Sequence, residues 1–201
     1  MLSIDKSQIH QMPVAKFPGK IYVIDNAADA RSAVAYLMRQ SAVGFDTETR
    51  PTFRKGETHN VALVQISTSD ECFLFRVNLI GFCEPLRQLM ESRDVLKIGL
   101  STKDDFHGLA RLAPIVPGGI IELQHFVGKY DITDQSLQKV YAIIFGEHIT
   151  KGQRLTNWEA KTLTPAQQDY ASLDAWACLR IYRHLSEGLF DPATSPYVKE
   201  Q

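Results

Sequence analysis

Residues 42–48 read Ala-Val-Gly-Phe-Asp-Thr-Glu. The apolar and β-branched residues of this stretch predict a β-strand. Because side chains alternate between the faces of a strand, Asp46 and Glu48 share one face, and Phe45 and Thr47 share the other. Paired carboxylates repel each other unless a cation neutralises them, and a hard divalent ion such as Mg²⁺ or Mn²⁺ matches oxygen ligands. Two ordinary solvated acids at a strand end would give the same pattern.

Further strand patterns flank this one. Residues 60–68 and 71–77 are rich in apolar and β-branched side chains, and Asp70 lies in the turn between them. We therefore predict an antiparallel hairpin. Residues 20–24 alternate as a strand does, and Asn26 is placed to cap the helix that follows.

The second half of the chain is mainly helical. The patterns predict short strands over 95–100 and 120–121, and helices over 79–91, 103–112, 122–130 and 136–145. The sequence Thr-Pro-Ala-Gln at 164–167 is a capping box that opens a last helix, which runs to about Gly188. Strands followed by helices predict an α/β fold, a mixed sheet flanked by helices in a single domain.

Composition limits the function. The chain has 201 residues, 44% of them hydrophobic, and a formal net charge of −1. These values are typical of one globular domain. They exclude a generally basic protein that coats nucleic acid by bulk attraction, so a nucleic-acid function requires a local basic patch or a metal.

The ends of the chain differ from its centre. Residues 1–19 are polar and contain Pro13 and Pro18, so we predict an extended N-terminal lead-in. The main domain then covers 20–190, and 191–201 form a loosely held C-terminal tail. The chain shows no secretory h-region and no stretch of ~20 apolar residues, so we predict no membrane contact. Three widely spaced cysteines without a C-x-x-C pattern indicate buried thiols in a reducing compartment, and we predict a cytoplasmic protein.

More acids lie on the predicted helices. Tyr170 and Asp174 are four residues apart and share a face of the last helix, among small and apolar neighbours. A carboxylate in such surroundings needs a partner or a metal, although a Tyr–Asp pair at the core edge would also satisfy it. Asp104 and Asp105 stand at a helix start, where the helix dipole favours carboxylates. Periodicity alone does not choose between them.

Taken in order, these motifs resemble a known family. The D-x-E strand, the aspartate opening a central helix and the Y-x-x-x-D helix resemble the DEDD 3′–5′ exonucleases with a tyrosine in the third motif. Residues 61–66 and 72–75 and the pair Asn157-Trp158 are similar to the RNase D and Werner syndrome exonuclease group. The resemblance covers about residues 20–185.

The resemblance implies an RNase-H-like fold and hydrolysis of DNA or RNA from the 3′ end, on single strands or at the 3′ end of a duplex. It also implies two divalent cations, Mg²⁺ or Mn²⁺, and assigns a tyrosine to orient the attacking water. In this group a large apolar residue follows the helix acid at the fourth position. Leu109 stands in that position after Asp105, which favours Asp105 and leaves Asp104 as the alternative. The implied catalytic residues are Asp46, Glu48, Asp105, Tyr170 and Asp174, with the four acids as metal ligands.

Basic residues near these motifs are candidates for substrate binding. Arg54 and Lys55 lie in the polar loop after the D-x-E strand, and Lys151 and Arg154 precede Asn157-Trp158. Ordinary solvated side chains are the alternative for all four, and we predict that Trp158 packs in the core. The rival functions are an inactive family member that binds nucleic acid or a partner, an enzyme acting on very short oligonucleotides, and an α/β interaction domain.

Overall fold

The computed structural model describes residues 1–198, which contain one six-stranded mixed sheet in the order β1-β4-β3-β2-β5-β6. Strand β3 runs antiparallel to β2 and β4, and the other neighbouring strands are parallel. The predicted α/β fold and hairpin are confirmed. The strands are β1 (Lys20–Ile24), β2 (Ala42–Thr49), β3 (Val61–Ser67), β4 (Glu71–Phe75), β5 (Leu96–Gly99) and β6 (Ile120–Glu122).

Helices cover both faces of the sheet. They are α1 (Lys6–Ile9), α2 (Ala27–Leu37), α3 (Val77–Ile80), α4 (Glu84–Glu91), α5 (Thr102–Ala110), α6 (Leu123–Val127), α7 (Leu137–Phe145) and α8 (Pro165–Ser186). One apolar core joins α2, α4 and α5 to the face that carries Phe45. On the opposite face α8 packs with α6 and α7.

Close packing sets the position of α8 over β2. A Cβ atom at Gly44 would lie 1.8 Å from the carbonyl oxygen of Ala175, so only glycine lets the helix approach this far. The predicted capping box also forms: the Thr164 hydroxyl accepts from the Gln167 backbone at 3.2 Å, and the Gln167 side chain accepts from the Thr164 backbone at 3.0 Å. These contacts fix where the side chains of α8 meet the sheet.

The N-terminal segment is not the extended lead-in that its sequence predicts. It contains α1, and Leu2, Ile4, Ile9 and Ala15 are buried against the core that includes α7 and α8. The prediction overlooked these apolar side chains. The hydrophobic effect favours their burial, and the two prolines do not prevent it.

Two other predictions need correction. The helix predicted over 79–91 is divided into α3 and α4, because Gly81 has a φ of 70° and Pro85 lies in the first turn of α4. The C-terminal tail is held in place as far as the structure describes it: the Ser3 backbone donates to the carbonyl of Tyr197 at 3.1 Å. Residues 199–201 of the predicted tail lie outside the described residues.

The helices of the described chain are short or polar compared with a membrane-spanning helix. Over residues 1–198, none of them combines the length and the apolar character that a bilayer span requires.

Candidate active site

Three carboxylates converge where β2 meets α8. Asp46 and Glu48 project from the same face of β2, as predicted, and Asp174 approaches from α8. One oxygen of each carboxylate lies within 4.8 Å of the others. Glu48 and Asp174 are each only 8% exposed, so water does little to screen their charges.

Burial raises the pKa of all three carboxyl groups, and repulsion by neighbouring carboxylates adds to the shift for Asp46 and Glu48. Burial raises the pKa of Asp46 well above its usual value, and the charge of Asp174 raises it further. Burial raises the pKa of Glu48 to about 10, with Asp46 and Asp174 adding to the effect. Burial also raises the pKa of Asp174 to about 7. The cluster therefore needs protons or a cation to be stable at neutral pH.

Tyr170 lies one helical turn before Asp174. A hydrogen bond from the Tyr170 hydroxyl lowers the pKa of Asp174, while burial followed by the charge of Asp174 raises the pKa of Tyr170 far above its usual value. The hydroxyl is therefore a donor at neutral pH and a poor base. Trp158 is fully buried with its ring 6.1 Å from that of Tyr170, which confirms its predicted place in the core.

The structure places Asp105 beside the three-carboxylate cluster, outside the 4.8 Å group. Its carboxylate accepts a hydrogen bond from the Thr47 hydroxyl, which projects from the opposite face of β2 to Asp46. Burial, and then the charge of Asp46, raise the pKa of Asp105 to about 8. Asp104 is exposed, whereas Asp105 is half-buried.

Glu122 holds the start of α5, a role that the sequence alone does not assign to it. Its carboxylate accepts from the backbone N–H groups of Ser101 and Thr102 at 3.0 and 2.7 Å, and from the Thr102 hydroxyl at 2.8 Å. Ser101 is in the left-handed region with a φ of 64°. Glu122 thereby fixes the first turn of the helix that carries Asp105. Only the pairing of β5 with β6 brings it there, so the local sequence contains no signal for it.

A cavity of about 300 Å³ opens over the acids, and two predicted basic residues line it with Asp46, Tyr170 and Asp174. The charge of Arg154 lowers the pKa of Glu48, and that of Lys151 lowers the pKa of Asp174. The structure thus brings both basic side chains, Lys151 and Arg154, to the acids.

The two basic residues of the 50–60 loop lie elsewhere. Arg54 lines a separate cavity together with Phe53 and His59, and Lys55 is exposed beside it in the loop. The structure does not bring this predicted pair into the cavity over the acids.

Comparison with known proteins agrees with this arrangement. A family model described as a 3′–5′ exonuclease matches residues 21–189. The chain belongs to the 3′–5′ exonuclease family.

Two relatives illustrate the similarity. The chain is 28% identical over 190 residues to the bifunctional 3′–5′ exonuclease/ATP-dependent helicase WRN of Mus musculus, covering 87% of this chain and 13% of that protein. It is 31% identical over 151 residues to exonuclease 3′–5′ domain-containing protein 2 of Drosophila melanogaster, covering 73% of this chain and 26% of that protein. The chain therefore spans well under half the length of these two relatives.

Solved structures share the fold of this exonuclease-family chain. The Aedes aegypti Nibbler EXO domain superposes with a TM-score of 0.73 at 23% identity, covering 96% of each chain. Escherichia coli RNase D superposes with a TM-score of 0.74 at 20% identity, covering 83% of this chain and 44% of the other. The expected RNase-H-like architecture is confirmed.

Proposed function

We propose that this protein hydrolyses phosphodiester bonds of DNA or RNA from the 3′ end and releases nucleoside monophosphates. The observation that carries the proposal is the buried convergence of Asp46, Glu48 and Asp174 in a chain of the 3′–5′ exonuclease family. A buried cluster of carboxylates with raised pKa values destabilises a fold, and cation-dependent phosphate chemistry in the cavity that also holds Lys151 and Arg154 accounts for it.

The donor set fits a hard divalent cation, Mg²⁺ or Mn²⁺. Three carboxylates with mutually close oxygen atoms supply the oxygen ligands that these ions prefer. The charge of Asp46 raises the pKa of Asp105, and these two carboxylates are the candidate ligands of a second cation. When bound, such ions lower the pKa of water and neutralise the charge of the phosphate that is cut.

The other residues of the cavity orient the attacking water and bind the phosphates of the substrate. Tyr170 keeps its proton, so its hydroxyl positions the attacking water by hydrogen bonding and leaves deprotonation to other groups. Lys151 and Arg154 line the same cavity and are placed to hold the phosphates on either side of the bond that breaks. Arg54 lines a separate cavity and Lys55 lies beside it. This pair therefore contacts the nucleic-acid substrate farther from the bond that is cut.

An end-labelled digestion tests this function. The protein is incubated with 5′-labelled single strands of DNA and RNA, and with duplexes that have recessed 3′ ends, in Mg²⁺ or Mn²⁺. We expect a ladder that shortens from the 3′ end and is abolished by a chelator and by Asp46→Ala. If the wild type and Asp46→Ala behave alike on every substrate, the catalytic proposal fails and an inactive, nucleic-acid-binding family member is the better description.

The same assay decides which helix acid takes part. The half-buried Asp105 contacts Thr47, while Asp104 is exposed, so we expect Asp105→Ala to lose much more activity than Asp104→Ala. A larger loss at Asp104 would reverse the assignment. Comparing rates in Mg²⁺ and Mn²⁺ identifies the preferred ion.

A further inference from the structure

A second cavity continues from the cavity over the acids. It has a volume of about 330 Å³, and Gln138 and Lys151 line both cavities. The rest of its lining comes from the N-terminal segment and from the segment after α7. These residues are Lys6, Ile9, His10, His148 and Thr150.

The N-terminal segment is fixed firmly enough to shape this cavity. The Ala15 backbone donates to the carbonyl of His148, and the His148 backbone donates to the carbonyl of Pro13, both at 2.9 Å. The Nδ1 atom of His148 lies 2.9 Å from the carbonyl oxygen of Met12. Ile9 is buried in the core, so the side chains of α1 that line the cavity have a defined place.

The charge of the second cavity suits a polyanion. Its lining includes two lysines and two histidines, and the lining residues that the structure describes include no carboxylate. The net charge of the chain is −1, so nucleic acid is attracted only where positive charge is locally concentrated. This cavity is such a concentration, and it adjoins the carboxylates.

We propose that the second cavity binds the phosphate backbone of the nucleic-acid strand upstream of its 3′ end. This inference rests on the proposed function and deepens it. Lys6 and His10 lie outside residues 21–189, which match the family model, so the N-terminal segment adds a binding surface of its own. Phosphate contacts position a strand without reading its sequence, so the contact is expected for DNA and RNA alike.

Substrate length tests this path, by which we mean the course of the nucleic-acid strand from the acids through the second cavity. A strand of about 12 nucleotides with its 3′ end at the acids extends through the second cavity, whereas a dinucleotide ends in the cavity over the acids. We expect Lys6→Glu to lower kcat/KM about 3- to 10-fold on the longer strand and to leave it unchanged on the shorter one. Arg31→Glu is the matched control, because it makes the same charge reversal on exposed α2, on the opposite face of the sheet.

Each outcome bears on one claim. A selective loss on the longer strand for Lys6→Glu and no loss for Arg31→Glu supports the path. If the wild type degrades both strands and Lys6→Glu affects them equally or not at all, the path is overturned while the exonuclease proposal stands. If the wild type degrades neither strand, the proposed function fails and the path fails with it.

A different observation concerns Gln65, a fully buried residue on β3. In the antiparallel register Gln65 pairs directly with Asp46, so the two side chains share the face that α8 covers. Among the residues that the structure describes, neither the Oε1 nor the Nε2 atom of Gln65 has a hydrogen-bond partner. An unpaired buried amide costs about 1–3 kcal/mol, so a leucine would suit this position better if packing were its purpose.

We infer that Gln65 is a positioning residue for Asp46. Its amide N–H donates to a carboxylate oxygen of Asp46 when the other oxygen binds a cation, and so holds the carboxylate in its binding orientation. Groups that orient a metal ligand in this way affect metal affinity even though they do not contact the metal. This inference also rests on the proposed function.

Cation binding without nucleic acid tests the role of Gln65. For Gln65→Leu we expect Mn²⁺ affinity, measured by titration calorimetry, to fall about 10- to 100-fold. The melting temperature of the metal-free protein should stay the same or rise, because two unpaired buried groups disappear. Ser67→Ala is the control, since Ser67 lies two residues further along the same face and its hydroxyl donates to the carbonyl of Thr68 at 2.8 Å.

The Mn²⁺ affinity and the melting temperature together distinguish a positioning role of Gln65 from a purely structural one. Weaker Mn²⁺ binding with a preserved melting temperature supports the inference, provided that Ser67→Ala binds Mn²⁺ as the wild type does. Unchanged Mn²⁺ affinity in Gln65→Leu overturns it. If Gln65→Leu melts at a lower temperature, Gln65→Met, which preserves chain length, replaces it and is judged by the same affinity.

Discussion

The burial of Glu48, together with repulsion from the neighbouring carboxylates, predicts that Glu48→Gln stabilises the metal-free protein. Glu48 is buried and its pKa is about 10, against 4.5 for an ordinary glutamate. The folded protein therefore holds a proton that the unfolded chain releases between these two values. As a result, the stability of the metal-free protein falls as the pH rises from 4.5 towards 10.

The size of the effect follows from the pKa difference. Each pH unit above 4.5 costs about 1.4 kcal/mol, so the penalty at pH 7 is about 3 kcal/mol. Glutamine has nearly the same shape and does not titrate, although a buried amide without full hydrogen bonding takes back part of the gain. We therefore expect Glu48→Gln to gain about 2 kcal/mol at pH 7, which raises Tm by about 4 to 8 °C.

Thermal melts in a chelator measure this gain at a series of pH values. The difference in Tm between Glu48→Gln and wild type should vanish near pH 4.5 and grow towards about pH 8, because only the wild type has a titrating side chain at position 48. Asp94→Asn, which changes an exposed acid, should shift stability by less than about 0.5 kcal/mol. A Glu48→Gln protein that melts at or below the wild-type temperature at pH 7 would refute the reasoning.

Three other substitutions give separate tests. Tyr170→Phe should lower kcat about 10- to 100-fold with little change in KM, because an orienting hydroxyl is lost; equal kcat values in steady-state assays would contradict this role. Gly44→Ala should destabilise by at least about 1–3 kcal/mol in urea unfolding, because its Cβ meets the Ala175 carbonyl; a wild-type midpoint would argue against the close approach. Glu122→Gln should lower stability by about 1–2 kcal/mol through its weaker hold on α5, and an unchanged urea midpoint would count against that hold.

Local signals made much of the fold predictable. The hairpin follows from two apolar runs around Asp70, and the start of α8 follows from the Thr164 capping box, because both features depend on neighbouring residues. The shared face of Asp46 and Glu48 follows from strand alternation alone. The N-terminal segment was mispredicted because its buried side chains pack against residues more than a hundred positions away, such as Val140.

The site was less predictable than the fold for the same reason. The carboxylates of β2 and α8 meet because α8 approaches β2 closely at Gly44, and no local pattern reveals that approach. Periodicity could not separate Asp104 from Asp105, because the environment of each depends on where α5 crosses Thr47. The positions of Glu122 and Gln65 beside the acids depend on strand pairing, which becomes visible only in the folded sheet.

The central claim is that Asp46, Glu48 and Asp174 support removal of nucleotides from the 3′ end. The most direct measurement follows a label in the 3′-terminal nucleotide of a single strand during the first turnover in Mn²⁺. We predict that the label leaves as a nucleoside monophosphate, and that a chelator or Asp46→Asn abolishes its release. Label that stays in longer fragments, or equal release by the wild type and Asp46→Asn, would contradict the claim.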